Sequence, residues 1–151
     1  MTSLGDGDRL DRNWQELLQE LRVAQTGIQV LTGFLLTIPF TERFHDLPES
    51  RRVVYGVIFT GAVVAMLLLM SPVALHRALF HQGARPWLVD AADLFARWGL
   101  GVMALTILGV VWFILDVVAA TWIGSVVTGV LATFVVAVWV VLPAYERRRS
   151  R

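Results

Sequence analysis

The feature that most constrains this chain is a set of three long apolar stretches without a charge, at residues 53–75, 99–115 and 117–145. A helix of about 20 apolar residues crosses the roughly 30 Å hydrocarbon layer of a bilayer. Because that layer offers no water to free N–H and C=O groups, a spanning segment must satisfy them internally as a helix. The stretches therefore predict an all-α integral membrane protein.

We predict four transmembrane spans that form one membrane domain over residues 1–151. In chain order they lie at about residues 23–41, 53–75, 98–115 and 121–142. Pro143 is expected to end the fourth span, before a basic tail at 143–151. Hydrophobic residues make up 56% of the chain, more than is usual in a soluble domain, which favours four spans packed as a helix bundle.

Two further segments have the residue spacing of an amphipathic helix, and each precedes a span. In residues 8–22, leucines and Trp14 recur at helical spacing opposite glutamines and glutamates. In residues 84–98, ARPWLVDAADLFARW, Pro86 suits a helix start. We expect interfacial helices before spans one and three, the first lying on the membrane surface or running straight into its span.

The arginines outside the spans predict the orientation. With the N-terminus inside, the inner side holds ten arginines: Arg9, Arg12, Arg22, Arg77, Arg85, Arg97, Arg147, Arg148, Arg149 and Arg151. The outer side holds three, Arg43, Arg51 and Arg52. Because basic residues are enriched on the cytoplasmic side of membrane proteins, we predict that both termini are cytoplasmic.

The first span carries polar and small residues along one edge. At helical spacing this edge consists of Arg22, Gln25, Thr26, Gln29, Gly33 and Thr37. An amide without a partner in hydrocarbon costs several kcal/mol, so the edge must face protein or water. Either it packs against other helices through hydrogen bonds, or it lines a wet path with Glu20 and Arg22 as entrance charges.

Asp116 is the only acidic residue between Asp93 and Glu146, and it lies at the end of the third span. One interpretation places it at the outer interface, where it caps the fourth helix. The other is a carboxylate that binds a proton or a cation, because ionisable groups within membranes are commonly functional.

Small residues recur at every fourth position on two spans. They are Gly61 and Ala65 on the second span, and Ser125, Gly129 and Thr133 on the fourth. Such ridges let membrane helices approach closely, within one chain or between chains.

Several enzyme signatures are missing from the chain: it has no phosphate-binding glycine loop, no nucleophile elbow and no HExxH zinc motif. It also has no cysteine and a net charge of only +1. We therefore expect no catalytic residue, no cofactor, no metal and no nucleic-acid partner.

The stretches NWQELLQELRVAQTGIQVLTGFLLTIPFTERF and SPVALHRALF resemble an uncharacterised family of small bacterial four-span membrane proteins. Members of that family are sometimes labelled sodium:proton antiporter. The resemblance covers about residues 13–81. It implies a multi-pass protein of the inner (plasma) membrane and brings no agreed activity.

The leading functional hypothesis is a homo-oligomer in the lipid bilayer that conducts a small inorganic ion along the polar edge of the first span. Glutamine amides and threonine hydroxyls can replace the hydration oxygens of an ion. The alternative is a non-conducting accessory or scaffold subunit whose polar edge docks another membrane protein. A third hypothesis is proton-coupled cation transport through Asp116.

Overall fold

The computed structural model describes residues 4–79 and 85–149. Its helices are α1 (Leu4–Thr37), a 3-10 turn (Ile38–Phe40), α2 (Glu42–His45), α3 (Glu49–Leu79), α4 (Arg85–Val118), α5 (Thr121–Val136), a π-helical turn (Ala137–Val141) and α6 (Leu142–Arg149). The described residues contain no β-strand, which confirms the prediction of an all-α protein.

Four helical segments are long and apolar enough to cross a membrane. They are Gln19–Phe40, Glu49–Leu75, Ala91–Val118 and Thr121–Glu146. Each coincides with one of the predicted spans and extends past at least one predicted boundary, by three to seven residues. The prediction of four apolar helices is therefore confirmed.

The two segments predicted as interfacial helices are not separate helices. Residues 8–22 form the N-terminal part of α1, and residues 85–98 form the N-terminal part of α4. Residues 8–22 contain no glycine or proline, and residues 85–98 contain only Pro86, at the start of α4. No residue therefore breaks either helix before its span begins. The sequence allowed the first segment either to lie on the membrane surface or to run straight into its span. In the structure it runs straight into the span as part of α1.

Pro143, which the sequence predicted as the end of the fourth span, does not end the helix, because the helix continues to Arg149 through a π-helical turn. In this turn the N–H of Leu142 donates to the carbonyl of Ala137, five residues back. Proline has no N–H, and its ring clashes with the carbonyl four residues earlier, here that of Trp139. The π turn thus occupies the residues whose regular helical bonding Pro143 disturbs.

The four spanning helices pack in the order α1, α3, α4, α5. The largest interface joins α3 to α4, and α1 also contacts α4. Within the described residues, α1 and α5 share no extended contact, so the bundle is open between its first and last helices. We call the end with residues 41–48 and the α4–α5 connection the loop side, and the opposite end the terminal side.

Small residues bring α3 and α4 close together. Ala62 and Ala65 of α3 are fully buried. A Cβ built on Gly61 would lie 2.8 Å from the Thr106 hydroxyl, and one on Gly99 would lie 2.9 Å from the Leu69 side chain. Gly61 and Ala65, singled out in the sequence as a ridge, therefore lie at the contact between two helices of one chain.

The buried face of α1 follows a seven-residue spacing. Leu21, Ile28 and Leu35 are 3%, 1% and 3% exposed, respectively. They belong to the same apolar core as Tyr55 of α3 and Phe113 of α4. This face fixes the rotation of α1 and so decides which way its polar residues point.

Candidate functional site

The polar edge of α1 divides into two parts in the folded chain. The part nearest the core is Gln25, which is half-buried, as is Thr32 beside the edge. The Gln25 side-chain amide donates to the main-chain carbonyl of Leu69, with 2.7 Å between nitrogen and oxygen. Leu69 lies one turn before Pro72 of α3. Gln25 therefore joins α1 to α3 rather than lying on the open face with the rest of the edge.

A second polar bond joins the same two helices towards the loop side. The hydroxyl of Tyr55, on α3, donates to the main-chain carbonyl of Leu35. That carbonyl would normally bond the N–H four residues later, but residue 39 is proline and has none. Tyr55 thus satisfies a backbone acceptor that would otherwise be free within the apolar core.

The remaining residues of the edge lie on the surface of the chain, and we call them the polar stripe: Arg22, Thr26, Gln29, Gly33 and Thr37. The Thr26 hydroxyl donates to the Arg22 carbonyl at 2.9 Å, and that of Thr37 donates to the Phe34 carbonyl at 2.7 Å. Both threonines therefore use their hydrogen within α1 and keep oxygen lone pairs free on the open face.

Gln29 is the residue of the polar stripe whose exposure to hydrocarbon would cost the most free energy. It lies near the middle of the segment Gln19–Phe40 and is exposed on the surface of the chain. Its amide makes no hydrogen bond to any residue that the structure describes. Leaving a primary amide against hydrocarbon costs roughly 2–7 kcal/mol, so at this depth Gln29 is stable only beside water or further polar groups.

The spanning segment of α1 is poorly suited to face lipid. It has the lowest mean hydropathy of the four segments, yet only 11% of it is buried inside the chain. The segment of α5 is 0% buried but far more apolar, so lipid can cover it. α1 and α5 are the first and last helices in the packing order. Of these two, α1 has the exposed surface that is more stable against protein or water than against lipid.

The two predicted entrance charges do not lie together. Glu20 and Arg22 are both exposed near the start of the spanning segment of α1. Residues two positions apart on a helix are separated by about 200° around its axis, so these two side chains point to nearly opposite sides of α1. Arg22 belongs to the polar stripe, whereas Glu20 lies outside it.

Asp116 forms an ion pair with Arg51, the residue that sequence reasoning did not connect with it. The side chain of Asp116 is 1% exposed and that of Arg51 is 27% exposed. The prediction that Asp116 caps the fourth helix is wrong: in the described structure the N-cap of α5 is Ala120, and no side chain caps that end. Because Asp116 needed a cation, the three arginines of the loop side could have indicated a partner.

Aromatic and small residues enclose this ion pair. The guanidinium carbon of Arg51 lies 5.5 Å from the centre of the Trp112 ring. The indole N–H of Trp112 donates to the Ser125 hydroxyl of α5 at 3.3 Å. Gly124 allows this approach, since a Cβ there would lie 3.1 Å from the Trp112 carbonyl. The loop-side ends of α3, α4 and α5 are thereby held together.

The small residues of the fourth span lie mostly on the outer surface of α5. Ser125, Gly129 and Thr133 are exposed, and a Cβ on Gly129 would meet no atom of the described residues within 4 Å. The hydroxyls of Ser125 and Thr133 donate to the carbonyls of Thr121 and Gly129, each at 2.8 Å. These self-satisfied hydroxyls let α5 face lipid at little cost.

The described residues offer no metal site, since no three histidine or acidic side chains among them lie close enough to share an ion. The candidate site is the polar stripe, which presents an amide, hydroxyl oxygens, a glycine and one guanidinium along a single open face.

Comparison with known proteins gives a family match over most of the chain. The profile described as "Family of unknown function (DUF6328)" matches residues 5–143. No curated protein and no solved structure matches this chain significantly.

Proposed function

We propose that this chain, which belongs to the DUF6328 family, assembles into a homo-oligomer in a membrane and conducts ions along the polar stripe of α1. The observation that carries the proposal is Gln29, an exposed amide near the middle of the least apolar spanning segment. An amide at that depth is stable when it faces water or the polar groups of another protein chain.

Assembly of several copies around an axis would give the polar stripe both water and the polar groups of neighbouring chains as surroundings. If copies of α1 surround a common axis, their stripes face a shared interior and their apolar faces stay in contact with protein or lipid. The side chain of Gln29 and the free lone pairs of Thr26 and Thr37 can then replace part of an ion's hydration shell. Arg22 would set the charge preference at the terminal-side mouth.

The orientation and location belong to the proposal. The predicted division of the arginines, ten on the side of the termini against three on the other side, favours cytoplasmic termini. In a bacterial cell the corresponding membrane is the inner (plasma) membrane, and the polar stripe would begin with Arg22 at the cytoplasmic face.

The test is ion flux into liposomes that contain the purified full chain. We expect flux in the parent protein and its loss in Gln29→Leu. Thr26→Val and Thr60→Val are a matched pair, because both hydroxyls are exposed and both bond the carbonyl four residues back in their own helix. Thr26→Val should lower the flux, whereas Thr60→Val, on α3, should leave it unchanged.

The second candidate is a non-conducting accessory subunit, and the same uncovered amide supports it, because a different membrane protein could cover the polar stripe. Absence of flux, together with a monomer in mild detergent and co-purification of one defined membrane protein, would favour this candidate over conduction.

Proton-coupled transport through Asp116 is the third candidate. It predicts flux that depends on a pH gradient and disappears in Asp116→Asn. The pairing of Asp116 with Arg51 weighs against it, because the guanidinium already supplies the positive charge that a bound cation would bring to the carboxylate.

A further inference from the structure

The polar stripe carries charge of only one sign. Between Gln19 and Thr37 the sequence has two ionised residues, Glu20 and Arg22, and both side chains are exposed. Arg22 lies on the polar stripe, whereas Glu20 points to nearly the opposite side of α1, about 200° away around the helix axis. Each chain therefore contributes one full positive charge and no carboxylate to the polar stripe.

The other three spanning segments carry acidic residues only near their ends. Of these, Asp93 forms an ion pair with Arg97, and Asp116 forms one with Arg51. The positive charge of each arginine offsets that of its carboxylate. Within the part of the chain that the structure describes, the spanning segments thus offer no carboxylate along the polar stripe that would attract a cation.

The loop-side end of the polar stripe has balanced charges. Thr37 is the last residue of the stripe, and the Thr41 hydroxyl beyond it donates to the Ile38 carbonyl at 2.7 Å. Residues 41–52 then hold three acidic residues and three arginines. The charged group that distinguishes one end of the polar stripe from the other is therefore Arg22, at the terminal side.

The neutral groups of the polar stripe do not choose strongly between cations and anions. The Thr26 hydroxyl donates within α1, so it presents lone pairs, which suit a cation. The Gln29 amide presents N–H donors for an anion as well as an oxygen for a cation. A full charge acts on an ion more strongly and over a longer distance than these dipoles do. The sign of the preferred ion is therefore decided by Arg22.

We propose that the path along the polar stripe selects small inorganic anions, such as chloride, and that Arg22 is the selecting residue. The proposal rests on the conducting homo-oligomer proposed above. Around a common axis each copy adds one guanidinium to a ring at the terminal-side mouth, and a ring of arginines concentrates anions and repels cations. Arg22 lies three residues inside the segment Gln19–Phe40, about 4–5 Å from its end, where a long side chain reaches water.

The test is the reversal potential of the purified full chain in planar bilayers that separate concentrated from dilute potassium chloride. The lipid is uncharged phosphatidylcholine, because anionic headgroups attract cations by themselves. We expect the reversal potential to have the sign of chloride permeation. Replacing chloride by gluconate should remove most of the current, whereas replacing potassium by N-methylglucamine should leave most of it.

Variants of Arg22 separate its charge from its shape. Arg22→Lys keeps the charge and should keep the chloride preference. Arg22→Gln should shift the reversal potential towards zero, and Arg22→Glu should reverse its sign. Glu20→Gln removes a charge at the same depth on the other side of α1, and Arg52→Gln removes an exposed charge on α3. Both controls should leave the reversal potential unchanged.

Three results would overturn the proposal, and they differ in what they say about conduction. A potassium-selective current in the parent protein would refute anion selection and leave conduction standing. A chloride preference that persists unchanged in Arg22→Gln would refute the role of Arg22. Absence of any current in the parent protein would refute conduction itself, and anion selection with it.

Discussion

At the scale of single residues, the ion pair between Arg51 and Asp116 combines two very different exposures. The side chain of Asp116 is 1% exposed, whereas that of Arg51, at the N-terminal end of α3, is 27% exposed. A long arginine side chain can extend its charged end to water, but a buried carboxylate cannot. The two partners should therefore respond unequally to loss of the other.

We expect Arg51→Met to destabilise the protein by about 3–5 kcal/mol, because it leaves the buried carboxylate of Asp116 without a cation. Asp116→Asn should cost clearly less, because Arg51 can turn to solvent. Unfolding titrations in mixed micelles would measure both, and the double variant would complete the cycle. Equal losses, or a larger loss in Asp116→Asn, would contradict the assigned burial.

The bond from Tyr55 to the Leu35 carbonyl gives a second prediction at this scale. Tyr55→Phe should lower the free energy of unfolding by about 1 kcal/mol, since it frees a carbonyl that Pro39 cannot bond. In a Pro39→Ala background the loss should shrink, because the new N–H of residue 39 can bond that carbonyl instead.

Thermal unfolding of the four proteins in this cycle gives the coupling energy. Tyr145→Phe is a suitable control, because Tyr145 is 61% exposed and lies on α6. If Tyr55→Phe lowered the free energy of unfolding as much in the Pro39→Ala background, the Tyr55 hydroxyl would stabilise the protein through a contact other than the Leu35 carbonyl.

At the scale of helices, the α4–α5 pair depends on close backbone approach. The connection between the two helices is only two residues long, Ala119 and Ala120. A Cβ on Gly124 would lie 3.1 Å from the Trp112 carbonyl and 3.4 Å from the Asp116 nitrogen, both atoms of the main chain. Main-chain atoms of a helix cannot move aside singly, so any side chain at position 124 must push the helices apart.

We therefore expect Gly124→Ala to destabilise the protein by about 1–3 kcal/mol through overpacking. Gly129→Ala, five residues further along the same helix and in open space, should be neutral or stabilising, since alanine favours helix by about 1 kcal/mol over glycine. Denaturation in mixed micelles compares the two variants. Similar effects of both would mean that helix propensity, and not contact with α4, decides the stability.

At the scale of the whole molecule, the open bundle leaves α1 as an edge helix with a polar surface. Because the chain has no cysteine, single introduced cysteines report contacts between copies without background. Gly33→Cys lies on the polar stripe, and Gly129→Cys lies on α5; both positions are open in the single chain.

In membranes treated with an oxidant, Gly33→Cys should form disulfide-linked dimers, because the assembly places copies of the polar stripe around one axis. Gly129→Cys should stay monomeric on non-reducing gels. The reverse pattern would place the contact between copies on α5 and leave the polar stripe without a partner.

The sequence alone determined the four spans and their helical state, because a bilayer excludes any segment that leaves backbone groups unpaired. It also located the polar edge, since helical periodicity is a local property of the chain. These conclusions required only neighbouring residues, and the structure confirms the apolar helices at the predicted places.

The tertiary structure alone decided how each polar group is used. Gln25 and Gln29 differ by one turn and about 40° around α1, yet the first bonds Leu69 and the second stays open. Asp116 pairs with an arginine far away in the sequence, and the helix passes Pro143 instead of ending there. Such outcomes depend on the rotation of α1 against α3 and on contacts between distant segments, which no local spacing encodes.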